Sequence, residues 1–321
     1  KGYNISGSGT VEQAGSGTLT LEQFSSVNLV ISAGVTVQTR VNESNFLNGN
    51  IVNDGHLLLN SYTFLQGTIT GNGVIDIAPN GQPVFVTTDN NAFTGVTNIA
   101  DNTQVFLGFG STGSLGGSVI LGQGSTLYFW ADPTVPMTQA GAISGAGNNV
   151  SINADVTFTG ANSYSATTSV SAAARAGATH VFSAASVYNV DGTLDLAGFD
   201  QTVGAIRATG SGIITLGSGT LTMAGVQDSQ IGDGVVSGSG GLALAGGTLS
   251  ISGTQAYTGA TSVNAGTLAV YGSIAGSSVT VASGATLTGS GTVGSATIQS
   301  GGMLEAGDGG IGTLSVTGGL T

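Results

Sequence analysis

The residues that could do chemistry are few. His56 and His180 are the only histidines. Hydrolysis by an activated serine needs Ser, His and Asp gathered in one site, with the imidazole as base. Neither histidine stands in a segment that suggests such a site, so each reads as a turn or face residue. Polysaccharide hydrolysis needs paired carboxylates, and the densest acidic cluster is Asp191, Asp195 and Asp200 in Asp191-Gly-Thr-Leu-Asp-Leu-Ala-Gly-Phe-Asp200. A lyase would add a basic residue, and no arginine is expected beside this cluster. Asp191-Gly192 reads as a turn and the other two acids as solvated. Asp-Gly pairs at 54, 191, 233 and 308 are isolated, whereas calcium-binding solenoids carry such pairs in tandem nonapeptides. With no cysteine there is neither a thiolate metal site nor a disulfide. No P-loop is present. No catalytic residue, metal or cofactor is therefore expected.

One stretch offers binding chemistry instead. Leu127-Tyr-Phe-Trp-Ala-Asp-Pro-Thr-Val-Pro-Met137 holds three consecutive aromatics, among them the only tryptophan, followed by two prolines. Neighbours on a strand alternate faces, so at least one ring points outward if the segment is a strand. Tyr128, Phe129, Trp130 and Asp132 are the candidate binding residues, for a glycan or a partner protein. The competing reading is a loop over the core, with an excursion expected near 128–136.

The elements that would position such residues are short strands. Period-2 alternation bounded by Gly, Asn or Ser recurs throughout, as in Gly217-Ser-Gly-Thr-Leu-Thr-Met223 and Gly247-Thr-Leu-Ser-Ile-Ser-Gly253. There are 57 glycines and 40% hydrophobic residues, without a G-X-Y period, which excludes both collagen and a disordered chain. Sixteen acids against four basic residues give a net charge of −12, which excludes nucleic-acid binding and a polybasic membrane contact. The longest apolar runs fall far short of a membrane span. Cysteine usage leaves the compartment open, and a chain opening at Lys1 is compatible with a removed signal peptide.

The strongest signal is an internal repeat. Thr157-Phe-Thr-Gly-Ala-Asn-Ser-Tyr-Ser-Ala-Thr-Thr-Ser-Val170 aligns without gaps to Ser250-Ile-Ser-Gly-Thr-Gln-Ala-Tyr-Thr-Gly-Ala-Thr-Ser-Val263, and the same register superposes Ile143-Ser-Gly-Ala-Gly147 on Val236-Ser-Gly-Ser-Gly240. A further copy begins at Asn91, with Phe93 in the place of Tyr164 and Tyr257. These three rings define the repeat and are expected at equivalent, packed solenoid positions. Stacking such turns puts Leu on Leu and Val on Val in one interior column, while backbone groups pair with the turns above and below. Glycine at the corners permits φ > 0. At roughly 20 residues per turn the chain would make about 16 turns.

Gly241-Leu-Ala-Leu-Ala-Gly-Gly-Thr-Leu-Ser-Ile-Ser-Gly-Thr-Gln-Ala-Tyr-Thr-Gly-Ala-Thr-Ser-Val-Asn-Ala-Gly-Thr-Leu268 resembles the passenger-associated repeat of bacterial autotransporters, with Gln255 where the pattern has Asn. Glu305-Ala-Gly-Asp-Gly stands where that family's closing turns carry A-P-G-N-S. The resemblance is strong from about Ile143 onward and generic before Thr87. It implies export, an outer-membrane β-barrel in the full-length precursor but not in this sequence, and display at the bacterial cell surface or release from it. The G-D-S-G that marks the family's proteases is missing. The expected fold is all-β, a single-stranded right-handed parallel β-helix. One continuous solenoid over 1–321 is expected, with divergent turns over 1–140, a middle repeat over 141–235, and a regular repeat with closing turns over 236–321. The expected function is adhesion, self-association or biofilm formation through a polar face, with itself or a host or matrix protein or glycan as partner. A passive stalk or filament subunit is the alternative, ahead of a polysaccharide-active enzyme. Adhesive features are expected before residue 140.

Overall fold

The structure is a computed structural model that describes residues 2–3, 9–15, 17–21, 24–41, 44–78, 81–132, 134–307 and 309–321. Lys1, Pro133 and Asp308, which the sequence reading mentions, lie outside the described residues. Those described form strands and turns with no helix, and the strands pair in parallel as a right-handed β-solenoid. Two compact units follow one another in sequence, Lys1–Ala166 and Thr167–Thr321.

In the first unit the chain winds past four sheets, the fourth of them entered by Met137–Gln139 and Asp155–Phe158. The first includes His56–Leu59, Val74–Ile77, Val96–Ile99, Ser118–Leu121 and Ala142–Gly145. The second includes Asn45–Leu47, Thr63–Leu65, Val84–Val86, Gln104–Gly108, Thr126–Trp130 and Asn149–Ile152. The third includes Asn28–Ile31, Ile51–Asn53 and Ile69–Thr70. Register partners stand from 18 residues apart, at Asn45 and Thr63, to 24 apart, at Ser118 and Ala142. Alternation then sorts each strand, so that Leu65, Val86, Leu107, Phe129 and Ile152 form one buried column of the second sheet. Each large apolar side chain fully buried in this way contributes about 1.5–3 kcal/mol.

One polar residue interrupts a core column of the first sheet. Thr97 lies in register between Ile75 and Val119, is fully buried, and its Oγ1 has no hydrogen-bond partner. A buried hydroxyl without a partner carries its full desolvation penalty. Thr97→Val keeps the shape and is expected to raise stability by about 1–2 kcal/mol in urea titration. A destabilised variant would mean that the hydroxyl is satisfied.

In the second unit one sheet runs from Thr167–Val170 through Thr248–Ile251, Thr267–Val270 and Thr286–Gly289 to Met303–Ala306. Another includes Leu242–Leu244, Thr261–Val263, Ser273–Val281 and Thr292–Ile298. Leu249, Leu268 and Leu287 stack in one buried column.

Phe93, Tyr164 and Tyr257 are all buried. Tyr164 and Tyr257 share one local geometry. The flanking Ser163 and Ser165 N–H groups donate to the Ile143 and Gly145 carbonyls, and those of Ala256 and Thr258 donate to Val236 and Gly238. Phe93 and Tyr164 do not share one face, however. Within the first unit Tyr164 stacks on the first sheet, at Ile143, whereas Phe93 bridges Gly71 at the end of the third. Turns of unequal length do not divide the spacing of the copies, so sequence-equivalent residues arrive at different sides.

The repeat also carries a buried amide. Asn162 Oδ1 accepts the Ile143 N–H at 2.8 Å, and Gln255 Oε1 accepts that of Val236 at 2.9 Å. Asn90 does the same for Ile69 at 2.6 Å. These side chains satisfy backbone donors where the strand ladder lapses. That role is compatible with either amide, hence glutamine at 255.

Candidate binding surface

Thr126–Trp130 is a strand, not an excursion. It pairs in register with Gln104–Gly108, and Thr126 to Phe129 pair with Asn149–Ile152. The departure from the sheet is confined to residues after Trp130. There the Asp132 carbonyl accepts the Val135 N–H, and Asp132 Oδ1 accepts both the backbone N–H and the hydroxyl of Thr134, at 2.9 and 2.7 Å. This is an Asx-type turn. Stacking decides the matter, since this register gives every strand residue a ladder partner and sends the rings to alternate sides.

That alternation divides the candidate residues. Phe129 is fully buried, packed edge-on against Phe158 with centroids 5.4 Å apart, so its ring is core and closed to a ligand. Tyr128 and Trp130 point outward. Asp132 is fully exposed, and its carboxyl is held below the ordinary 3.8 first by the Thr134 backbone N–H and then by the Thr134 hydroxyl.

Tyr128 is one ring of a larger array. Phe46, Phe64, Phe85, Phe106 and Tyr128 occupy one register position on successive strands of the second sheet, on its outer side. Their rings stack nearly parallel, with centroids 5.2, 4.6, 5.0 and 4.4 Å apart and interplanar angles of 17° or less. A strand spacing of about 4.8 Å sets this pitch. Each stacked pair adds about 0.5–1.5 kcal/mol beyond its burial.

Rings stacked face to face have only their edges left for other contacts. Phe85 and Phe106 each have a ring on both faces, so what they offer sideways is edge. Phe109 meets Phe85 at 4.8 Å and 65°, and Trp130 meets Phe106 at 6.1 Å and 60°. Both therefore lie against the ladder's edge row, and they are 49% and 48% exposed. Gly108 stands in register with Trp130 and has no side chain to displace the indole. A left-handed run at Gly108, Phe109 and Gly110, with φ of 100°, 27° and 84°, folds Phe109 back over the ladder. Such a φ is strained for a bulky residue. Tyr62 flanks the ladder near Phe64 and Phe85, at 5.4 and 5.5 Å.

The other chemical candidates are turn-holding groups. His56 Nε2 and Asp76 Oδ2 are 2.7 Å apart, and Asp76 Oδ1 accepts Asn98 Nδ2, forming a polar row on the first sheet. His180 is exposed, with a φ of 54°. The acidic cluster does have an arginine, contrary to the sequence reading. Arg175, in register with Asp195 one turn earlier, places Nε 3.1 Å from Asp195 Oδ2. Asp195 Oδ1 also accepts the Thr215 hydroxyl and the Ala197 N–H, and Asp200 Oδ1 accepts the Thr220 N–H at 2.7 Å. Both carboxylates are thus committed to holding turns. Of the Asp-Gly pairs, Asp54 and Asp233 accept the N–H groups of Asn72 and Thr254 in the next turn. Among the described residues no group of three or more His, Asp or Glu could hold a metal ion.

The chain matches no protein-family model and no curated protein.

Proposed function

We propose that the chain is an adhesive β-solenoid of the autotransporter-passenger kind, displayed at or released from a bacterial surface, and not an enzyme. The observation that carries this reading is the aromatic ladder. Large apolar groups on the outside of a soluble protein mark interaction sites. Here five rings recur on the outer side of one sheet, Phe85 buried and the other four half-buried, and two more, Phe109 and Trp130, lie against them about half exposed. The polar row around His56, Asp76 and Asn98 adds hydrogen-bonding capacity on another face, each bond being worth only about 0.5–1.5 kcal/mol net. Adhesion through such surfaces depends on number. Self-association and attachment to a matrix protein or glycan both belong to this reading.

The test displays the chain on cells through an outer-membrane barrel, with barrel-only cells as control. Displaying cells are expected to aggregate or to attach to matrix-coated surfaces. Trp130→Ala is expected to weaken this while the circular dichroism of the purified chain stays unchanged. Equal settling and attachment of the two cell types would overturn the reading.

A further inference from the structure

We propose that the corner carrying Phe109, Trp130 and Asp132 binds an arginine-bearing segment of a basic partner protein, with the guanidinium laid on the half-exposed ring of Trp130 and paired to the Asp132 carboxylate. This rests on the reading of the aromatic face as the adhesive surface and names the chemistry it selects. Three observations carry it.

The first is ring geometry. Trp130 and Phe109 meet the ladder at steep angles and are each about half exposed. The face of an aromatic ring is the negative end of its quadrupole, and arginine is the side chain that most often stacks there. The second is the fixed anion. Asp132 lies in the turn directly after the Trp130 strand and is exposed, and the bonds from Thr134 fall on Oδ1. Oδ2 keeps its acceptor capacity, in a carboxylate that its own turn keeps ionised. A planar guanidinium can stack and donate to a carboxylate at once.

The third is charge. Between Arg40 and Arg175 the sequence has no lysine or arginine, while it has seven carboxylates, at positions 43, 54, 76, 89, 101, 132 and 155. No lysine or arginine of this stretch can lie on the rings or neutralise Asp132. The same imbalance repels anionic glycans and draws basic segments toward the unit.

Trp130 is the only tryptophan, so its fluorescence reports on this corner alone. The purified chain is titrated with a short arginine–glycine peptide, a glycine–serine peptide of equal length, a neutral oligosaccharide and phosphatidylcholine vesicles. The arginine peptide is expected to change the emission saturably, with apparent Kd rising as salt is raised, and the other three to leave it unchanged. Asp132→Asn, which keeps the Asx turn, is expected to weaken binding about two- to fivefold. Phe109→Asn is expected to weaken it without removing the reporter. The proposal is overturned if no ligand acts, if the oligosaccharide or the vesicles act in place of the peptide, or if Asp132→Asn binds unchanged. Loss of cell aggregation on Trp130→Ala without any peptide response would sink this proposal and leave the adhesive reading standing.

Discussion

Tyr257→Ala is expected to destabilise the second unit by about 3–5 kcal/mol, the range for truncating a large buried aromatic. The ring is buried, and its hydroxyl opens a chain of buried hydrogen bonds, 2.7 Å to Thr261 Oγ1 and from there 2.8 Å to Ser277 Oγ. Removal leaves a cavity and takes a partner from the buried Thr261 hydroxyl. Tyr257→Phe keeps the packing and is expected to cost about 1 kcal/mol, the net worth of a hydrogen bond. A solenoid turn contacts only its neighbours. Hydrogen exchange should therefore report the loss locally, first at the amides of Ala256 and Thr258, which donate to the turn before. Burial holds the phenol above its ordinary 10.0, opposed by the bonds to Thr261 and Ser277. The folded form then keeps its proton after the unfolded form has lost it, so this contribution declines as pH rises above about 10. Tyr257→Phe should flatten that decline. A loss below about 0.5 kcal/mol for Tyr257→Ala would mean that the ring is not part of the core.

The parallel stack was legible because alternation and repeat speak to the same physics. A strand such as Thr248–Ile251 can bury only one side, and recurrence about one turn later tells where the next buried side stacks. Alternation fixes relative facing only. It separates Tyr128 from Phe129 without saying which ring is inside, and the register with Leu107 and Ile152 settles that. Phe46, Phe64, Phe85, Phe106 and Tyr128 stand 18 to 22 residues apart, which is the turn length itself. The ladder's signal was therefore present, but it lies outside the Tyr164 and Tyr257 alignment. Arg175 and Asp195 show the same thing in charge, since the proper neighbourhood in a solenoid is one turn along the chain, not the adjacent residues.

Glycine illustrates what the sequence could not convey. Positive φ explains Gly284, at 78°, where an added Cβ would meet nothing. Gly272 is different, because its φ is not in the left-handed region. A Cβ there would instead run into the backbone of Gly253, its carbonyl oxygen first. Gly291 is set against the Gly272 carbonyl in the same way, so the three glycines stack at one corner with backbone on backbone.

Gly272→Ala is accordingly expected to cost about 3 kcal/mol or more, the upper end for overpacking, since the obstacle is backbone with no rotamer to yield. The Gly253 carbonyl accepts the Ser273 N–H at 2.7 Å, and the Gly272 carbonyl accepts that of Thr292 at 2.8 Å. Moving residue 272 away from its neighbour stretches the first bond and shifts the second, so strain passes to the turns on either side. Gly284→Ala, which meets only the left-handed penalty, is expected to cost about 1–2 kcal/mol. Urea unfolding of the two variants side by side separates the two uses of glycine. If Gly284→Ala proved the more damaging, close backbone approach would not be what fixes glycine at this corner.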